Sequence, residues 1–290
     1  MKYDFNSWKK LGKFISVDGY NLFVVDRGKD KLGTVCILHG YPSCSFDYYK
    51  IIDELASQFR VIVHDHLGFG LSDKPLDYSY HLFDQAQIAI QLWQQLEINE
   101  MHLVAHDYGT SVATEILALK QLGNFNIKIK SLTLSNGSML IDMAQLRFIQ
   151  RVLKTPVIGR VVAELSLEFV FMRNMTNIWY DKSKVDRKEL HSLWTFLVCN
   201  NGRKVLAKIT RYIDQRYEHY DRWIGALQKT NIPTLVLWAD NDPVAIKEMG
   251  PKLKSLIPNS SLVKIPLCGH YPMLERDKIW LSALKTFLDS

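Results

Sequence analysis

Short β-branched runs alternate with helical segments over most of the chain. Six such runs stand at residues 34–38, 60–63, 101–105, 129–134, 234–238 and 261–265, and a turn signal or a helical segment follows each of them. This alternation is typical of an α/β fold, in which a mostly parallel sheet carries helices on its faces. Two further runs, at residues 13–17 and 20–25, flank Asp18-Gly19, which is a strong hairpin signal. We therefore predict a mostly parallel eight-stranded sheet that opens with an antiparallel pair.

The region after the sixth predicted strand breaks this alternation. It contains long helical patterns and no convincing strand pattern, and the helical patterns cover residues 141–153, 157–172, 188–198 and 204–217. We predict a core formed by residues 1–137 and 232–290, with a helical cap formed by residues 138–231. Inserted there, the cap would cover the carboxyl edge of the sheet, where open α/β sheets bind their ligands.

Composition limits the classes of partner. The 290 residues carry a net charge of +6, but Lys and Arg are interleaved with Asp and Glu, so a solvated surface explains the charge and we expect no nucleic acid.

The four cysteines form no CxxC pair and no His/Cys cluster, which argues against a zinc site and a disulfide scaffold. We expect no cofactor and no metal. Because no apolar run reaches the length of a signal peptide or of a membrane span, we predict a soluble, cytoplasmic protein without a transmembrane segment and leave its oligomeric state open.

The most informative motif lies where the fifth predicted strand ends. Ala105, His106, Asp107, Tyr108 and Gly109 follow one another there, and a helical pattern begins directly afterwards. This spacing matches a nucleophile elbow, with Asp107 where hydrolases usually have serine. The dipole of the following helix would favour the ionised carboxylate. The alternative is an aspartate that merely caps the helix.

A second motif, His-Gly-Tyr-Pro at residues 39–42, follows the third predicted strand. The backbone N–H groups of Tyr41 and Tyr108 could together form an oxyanion hole. A plain strand-to-loop turn is the alternative for this motif. We interpret His39, Gly40 and His106 as residues that support the same site.

A glycine-containing run after the fourth predicted strand, at residues 65–75, needs a different interpretation. It contains Gly-x-Gly, but the third glycine and the spacing of a dinucleotide-binding loop are missing. We interpret the run as structural, with Asp65 as a buried hydrogen-bonding residue.

Two later motifs supply an acid and a histidine. Asp242 follows the seventh predicted strand and is our choice for the acid that orients a histidine, with Asp240 as the alternative. A turn rich in Asn, Asp and Pro would also account for both residues. His270 lies on a Gly-led loop after the last predicted strand. The chain order of nucleophile, acid and histidine, each at a strand end, favours a catalytic set over three unrelated loop residues.

The five motifs span nearly the whole chain and resemble the α/β-hydrolase superfamily. Within it they resemble the branch with aspartate nucleophiles, which contains epoxide hydrolases and haloalkane dehalogenases. A closer likeness is to the mesoderm-specific transcript family. The resemblance implies an α/β-hydrolase fold in which the helical insertion is a lid, but it does not fix the substrate. The segments that carry the closer likeness are residues 39–42, 67–75, 106–109, 131–137, 212–216, 222–227, 242–244 and 269–272.

The choice of aspartate restricts the chemistry. A serine that attacked a saturated carbon would form an ether, which water does not readily cleave, whereas a carboxylate forms an ester. Asp107 therefore points to displacement at saturated carbon followed by ester hydrolysis. His270, oriented by Asp242, would act as the general base on the attacking water.

Two leaving groups are compatible with this scheme. An epoxide leaves as an alkoxide and needs a proton donor, and Tyr212 is our candidate among the lid tyrosines, although a packing or surface tyrosine is the alternative. Haloalkane dehalogenases typically carry Trp after the nucleophile and often Asn in the earlier turn, where this chain has Tyr108 and Tyr41. We therefore favour epoxide hydrolysis of an apolar small molecule, with a haloalkane dehalogenase-like hydrolase or a non-catalytic protein of the same fold as alternatives. The lid tyrosines are Tyr180, Tyr212, Tyr217 and Tyr220.

Overall fold

The structure is a computed structural model that describes residues 1–28 and 33–290. Its described residues form one eight-stranded sheet in the order β1-β2-β4-β3-β5-β6-β7-β8. β1 and β2 are an antiparallel hairpin and β2 pairs antiparallel with β4, whereas the other neighbours are parallel. The predicted sheet is confirmed. The strands are β1 (Lys13–Val17), β2 (Tyr20–Arg27), β3 (Thr34–Leu38), β4 (Arg60–His64), β5 (Glu100–His106), β6 (Lys128–Ser135), β7 (Thr234–Ala239) and β8 (Ser260–Ile265).

Helices cover both faces of the sheet, which explains why its central strands are apolar along their whole length. Trp93 and Ile116 belong to the buried layer on one face, and Trp8 and Leu284 belong to the layer on the other. The helices are α1 (Phe5–Leu11), α2 (Ile52–Ala56), α3 (Leu82–Gln95), α4 (Tyr108–Gln121), α5 (Phe148–Leu153), α6 (Pro156–Glu164), α7 (Glu168–Thr176), α8 (Arg187–Val198), α9 (Gly202–Thr210), α10 (Tyr212–Glu218), α11 (Tyr220–Lys229), α12 (Met249–Leu256), α13 (Pro272–Glu275) and α14 (Asp277–Leu288).

Between β6 and β7 the chain is helical throughout, but three of the four long helices predicted there are wrong. The first is reduced to a 3₁₀ turn and the short helix α5, the second is divided into α6 and α7, and the last into α9 and α10. Near two of these breaks, a side-chain hydroxyl donates a hydrogen bond to a helix carbonyl oxygen. Ser166 donates to the Ala163 oxygen, and Thr210 donates to the Leu206 oxygen. Such bonds compete with the helical ladder, so a continuous apolar period does not guarantee a continuous helix.

The position of α11 bears on where the cap ends. This helix packs along α4, a helix of the core, although it falls within the predicted cap at residues 138–231. The domain boundaries stay a prediction, and the packing favours a cap that ends near His219. No helix within residues 1–28 and 33–290 is long and apolar enough to cross a bilayer.

Candidate active site

Asp107 lies at a sharp elbow between β5 and α4. Its backbone adopts φ 43° and ψ −110°, a conformation that side-chain-bearing residues rarely accept outside functional turns. Two residues later, a Cβ on Gly109 would lie 2.4 Å from the Leu38 carbonyl oxygen, so only glycine allows helix and strand to approach this closely. The Asp107 carboxylate makes no capping hydrogen bond to α4. The helix-capping interpretation is therefore not supported, and the side chain is left for another role.

Three chain segments meet at this carboxylate. The Tyr41 N–H donates to Asp107 Oδ2 at 2.9 Å. His270 Nε2 lies 3.9 Å from the same oxygen, while its Nδ1 is 2.7 Å from Asp242 Oδ2. All three ionisable side chains are buried. The structure thus brings the predicted nucleophile, acid and histidine together, and it is Asp242, not Asp240, that reaches the histidine.

A largely apolar cavity lies above the carboxylate. Its volume is about 110 Å³, and Asp107, His270 and Tyr41 form its polar end. A cavity of this character suits an apolar small molecule held close to a few polar groups. The cap supplies most of the apolar wall, through Ile149, Leu153, Val162, Val170, Phe171, Met175, Ile178, Trp194, Leu197 and Leu206.

Comparison with known proteins agrees with this architecture. Residues 33–277 match the family model described as the alpha/beta hydrolase fold. The chain belongs to the α/β-hydrolase family. It is a hydrolase of that superfamily, and the predicted fold class is confirmed.

Individual relatives of this α/β-hydrolase are similar over almost their whole length. The mesoderm-specific transcript homolog protein of Homo sapiens is 34% identical over 296 residues, covering 98% of this chain and 88% of that protein, which confirms the predicted resemblance. The structure of epoxide hydrolase CorEH has a TM-score of 0.80 at 18% identity and covers 96% of this chain and 98% of its own. A loop variant of haloalkane dehalogenase DbeA from Bradyrhizobium elkanii has a TM-score of 0.80 at 20% identity, with 96% of both chains covered. At these identities the two structures show a common fold alone.

Asn136 holds Asp242, the predicted acid, in place, although no sequence motif singled it out. Its amide nitrogen donates to Asp242 Oδ2 at 2.8 Å, and its side-chain oxygen accepts from the Ala239 N–H. The other oxygen of Asp242 accepts from the Val244 and Ala245 N–H groups. The carboxylate is therefore fixed by neighbours on two strand ends. The signal for Asn136 was the Ser-Asn-Gly run at the end of the sixth strand.

Arg216, on α10, is a second residue that the sequence analysis did not single out. Its buried guanidinium donates through Nε to Ser111 Oγ at 2.8 Å and through Nη2 to the Asp107 carbonyl oxygen at 3.1 Å. The same nitrogen lies 3.8 Å from Asp107 Oδ1. The run at residues 212–216 marked this arginine only as part of a family likeness. Its contacts join the helical insertion to the elbow.

The charges of these groups stabilise one another. Burial alone would raise the pKa of the Asp107 carboxyl, but His270 and Arg216 outweigh burial and hold that pKa below its usual range. Burial alone would lower the pKa of His270, but the Asp242 and Asp107 carboxylates outweigh it and raise the pKa. The resting site is therefore a carboxylate facing an imidazolium.

The three supporting residues form the scaffold around the elbow. The His106 ring donates through Nε2 to the His270 carbonyl oxygen at 2.8 Å, and the His39 ring accepts the His66 N–H at 2.9 Å. Burial lowers the pKa of His39 to about 3 and that of His106 to about 4, so both rings are neutral. A Cβ on Gly40 would lie 2.8 Å from His106 Nδ1, which explains the glycine.

Tyr212 lies beside the site but not on the cavity surface. Its hydroxyl accepts from Gln150 Nε2 at 3.3 Å, and Gln150 is the residue that lines the cavity. The ring packs against Tyr41 and Tyr108 and under the Arg216 guanidinium. The other lid tyrosines are exposed or half-buried, at positions 180, 217 and 220. Asp65 is buried and accepts from the Ser45 and Leu71 N–H groups, as predicted for a structural residue.

Proposed function

We propose that this hydrolase opens an epoxide on an apolar molecule through an alkyl-enzyme ester on Asp107. The single observation that carries the proposal is a carboxylate at the nucleophile elbow, with the Tyr41 N–H and the His270 ring both directed at its Oδ2. An acyl substrate would give an anhydride at this position. An alkyl carbon gives an ester, which the adjacent histidine is placed to hydrolyse.

In the first step, Asp107 Oδ1 attacks an epoxide carbon and the carbon–oxygen bond opens. The alkoxide that forms takes a proton, and Tyr212 is the proposed donor; the transfer requires the Gln150 side chain, which lies on the cavity surface beside the Tyr212 hydroxyl, to move aside. Since the Tyr212 hydroxyl accepts the Gln150 hydrogen bond, its own proton remains available for transfer. Burial raises the pKa of Tyr212 well above its usual value. The resulting tyrosinate would therefore recover a proton readily from the His270 imidazolium.

Ester formation prepares the second step. It removes the negative charge of Asp107, which is one of the two carboxylates that hold the His270 proton. The neutral His270 then takes a proton from water as the hydroxide attacks Cγ of the ester. The Tyr41 N–H, with the N–H of Tyr108 at the open start of α4, stabilises the oxyanion. Collapse releases the diol and restores the carboxylate and the imidazolium, so protons balance over the cycle.

The dehalogenase-like alternative has less support from the site. A halide needs N–H donors, and the residue after the nucleophile is Tyr108, whose side chain packs among Phe69, His66 and Tyr212 and has no ring N–H. The same trapping experiment tests it, because a haloalkane would leave the same type of ester and release a countable halide.

The decisive experiment traps the ester. A His270→Gln variant is incubated with a panel of terminal and internal aliphatic epoxides, and the peptide that contains Asp107 is analysed by mass spectrometry. We expect a mass increase equal to one epoxide, absent from the Asp107→Ala, His270→Gln double variant. In the wild type, a single turnover in ¹⁸O-water should label the Asp107 carboxylate rather than the diol. Label in the diol, together with no adduct, would contradict the proposal.

A further inference from the structure

The outer side of α5, α6 and α7 carries a dense set of exposed apolar side chains, here called the cap apolar face. Exposed fractions run from 51% to 81% across the set. Single exposed apolar residues are ordinary, but a contiguous apolar patch on a monomer usually marks an interaction surface. The members are Phe148, Val157, Ile158, Val161, Leu165, Leu167 and Phe169.

A basic cleft borders this face. The two surfaces meet on α6, where Arg160 and Pro156 line the cleft and Val157 and Val161 belong to the cap apolar face. Two aspartates oppose five basic side chains among the described cleft residues. Asp214 is paired with Lys154, and Arg160 is paired with Glu164 of the same helix, which leaves Lys204, Lys208 and Arg211 as the excess positive charge. The cleft therefore presents net positive charge beside an apolar surface. Its basic members are Lys154, Arg160, Lys204, Lys208 and Arg211.

The other side of the same helices lines the active-site cavity. Val162, Ser166 and Val170 face the cavity above Asp107, and each is a sequence neighbour of a member of the cap apolar face. A single layer of short helices thus separates the exposed apolar surface from the nucleophile.

We propose that the cap apolar face docks on the surface of a membrane that contains anionic lipids. The apolar side chains insert among the lipid headgroups, and the basic cleft binds lipid phosphates. Apolar side chains bordered by Lys and Arg are the combination that holds helices in a membrane interface. The docking depends on surface chemistry alone, so it stands or falls separately from the reaction at Asp107.

Charge favours a membrane over a second copy of the chain. A symmetric dimer would place the same surface of each protomer against the other, and so would bring two basic clefts near each other. The chain also carries a net charge of +6, which opposes self-association and favours an anionic surface.

The test is flotation with extruded vesicles, either of phosphatidylcholine alone or of phosphatidylcholine and phosphatidylserine at about 7:3. We expect binding to the mixed vesicles that weakens in high salt. A Val157→Ser, Leu165→Ser, Phe169→Ser variant should lose about a hundredfold in partitioning. The matched control is Phe14→Ser, Leu122→Ser, which alters two apolar side chains that are exposed elsewhere; this variant should bind like the wild type.

A second variant tests the cleft. Lys204→Glu, Arg211→Glu should weaken binding to the mixed vesicles about tenfold, while leaving any binding to phosphatidylcholine unchanged. Asp107→Ala should bind as the wild type does, which separates docking from catalysis. Wild-type vesicle binding that survives the triple serine change would overturn the proposal. So would an absence of vesicle binding combined with a concentration-dependent dimer that the triple change dissociates, since the face would then be a self-interface.

Discussion

The corner around Asp107, which is the proposed catalytic site, and the cap apolar face differ in how their side chains are held. At the corner, Asp107, Asp242 and His270 are buried, and two strand ends and two tight turns fix their positions through directed hydrogen bonds. On the cap face, large apolar side chains stand in solvent on short helices. The comparison teaches that this fold fixes the proposed reacting groups by directed hydrogen bonds and places an exposed apolar surface one helix layer away.

The difference has a physical origin in the elements that carry each region. β5, β6 and β7 are interior strands of a sheet that is covered on both faces, so their ends cannot move without disturbing the core. Helices α6 and α7 have nine residues each and α5 has six, lengths at which isolated helices are unstable in water. Tertiary packing of their inner faces must therefore provide most of their stability.

Among substitutions that test this comparison, Asp242→Asn has the largest expected effect. The amide has the shape of the carboxylate, but its NH₂ group must face a donor, either Asn136 Nδ2 or the Val244 and Ala245 N–H groups. It also no longer stabilises the His270 imidazolium or fixes its tautomer. We expect the ester hydrolysis step to slow by about 10³- to 10⁴-fold, with the alkyl-enzyme accumulating in rapid-quench samples. Asp240→Asn is the matched control and should leave the rate within about twofold, since Asp240 does not contact His270.

Tyr212→Phe has the next largest expected effect, and it tests a cap residue that packs beside the corner. Losing the proposed proton donor should slow ester formation by about 10²-fold for epoxides, because the alkoxide would leave unprotonated. An alkyl halide of similar size should be affected by less than about threefold, since a halide needs no proton. Stopped-flow burst kinetics with both substrates measure the difference. Tyr217→Phe, at an exposed lid tyrosine, is the control, and equal losses for both leaving groups would remove Tyr212 from the role of donor.

Arg216→Gln should produce a smaller change in rate and a clear change in pH dependence. Arg216 helps to hold the pKa of Asp107 below its usual range, so its removal raises that pKa. A carboxyl with a lowered pKa contributes stability that is present above its ordinary pKa of about 4 and is lost as the pH falls through the folded value. Both the acid limb of kcat/KM and the acid loss of stability should therefore move to higher pH in the variant.

Ser111→Ala is the control for that experiment. It removes the hydrogen bond to Arg216 Nε but leaves the guanidinium charge next to Asp107. Its acid limb should coincide with that of the wild type. If the acid limb of kcat/KM were the same for Arg216→Gln and the wild type, the arginine would only connect the insertion to the elbow. The readouts are kcat/KM and the free energy of unfolding between pH 3 and pH 7.

Much of the sheet and of its catalytic set was predictable because each strand carries its signal locally. The eight strands are marked by β-branched runs with turn residues at their ends, and parallel strands necessarily bring their carboxyl ends to one edge. Asp107, Asp242 and His270 were recognisable because each directly follows such a run. Their roles stay a proposal, but their meeting at one point follows from topology.

The residues that were missed depend on contacts between distant segments. Arg216 reaches Asp107 only because α10 packs over the elbow, and a buried arginine in a charged helical stretch has the same local pattern as a solvated one. The breaks inside the insertion were missed for a related reason. Single hydroxyl-to-carbonyl bonds lie near two of those breaks, and they leave the apolar period unchanged.

The smallest expected effect tests whether the cap apolar face contributes to folding at all. Leu165 is 71% exposed and Leu193, on α8, is 1% exposed, so two leucines of the insertion occupy opposite environments. Leu165→Ala should change the free energy of unfolding by less than about 0.5 kcal/mol, whereas Leu193→Ala should cost about 2–5 kcal/mol. Urea denaturation curves followed by tryptophan fluorescence measure both. If Leu165→Ala destabilised the fold as strongly as Leu193→Ala, its side chain would be a packing element. The contrast between a rigid corner and an outward-facing apolar cap surface would then fail at the residue on which it most depends.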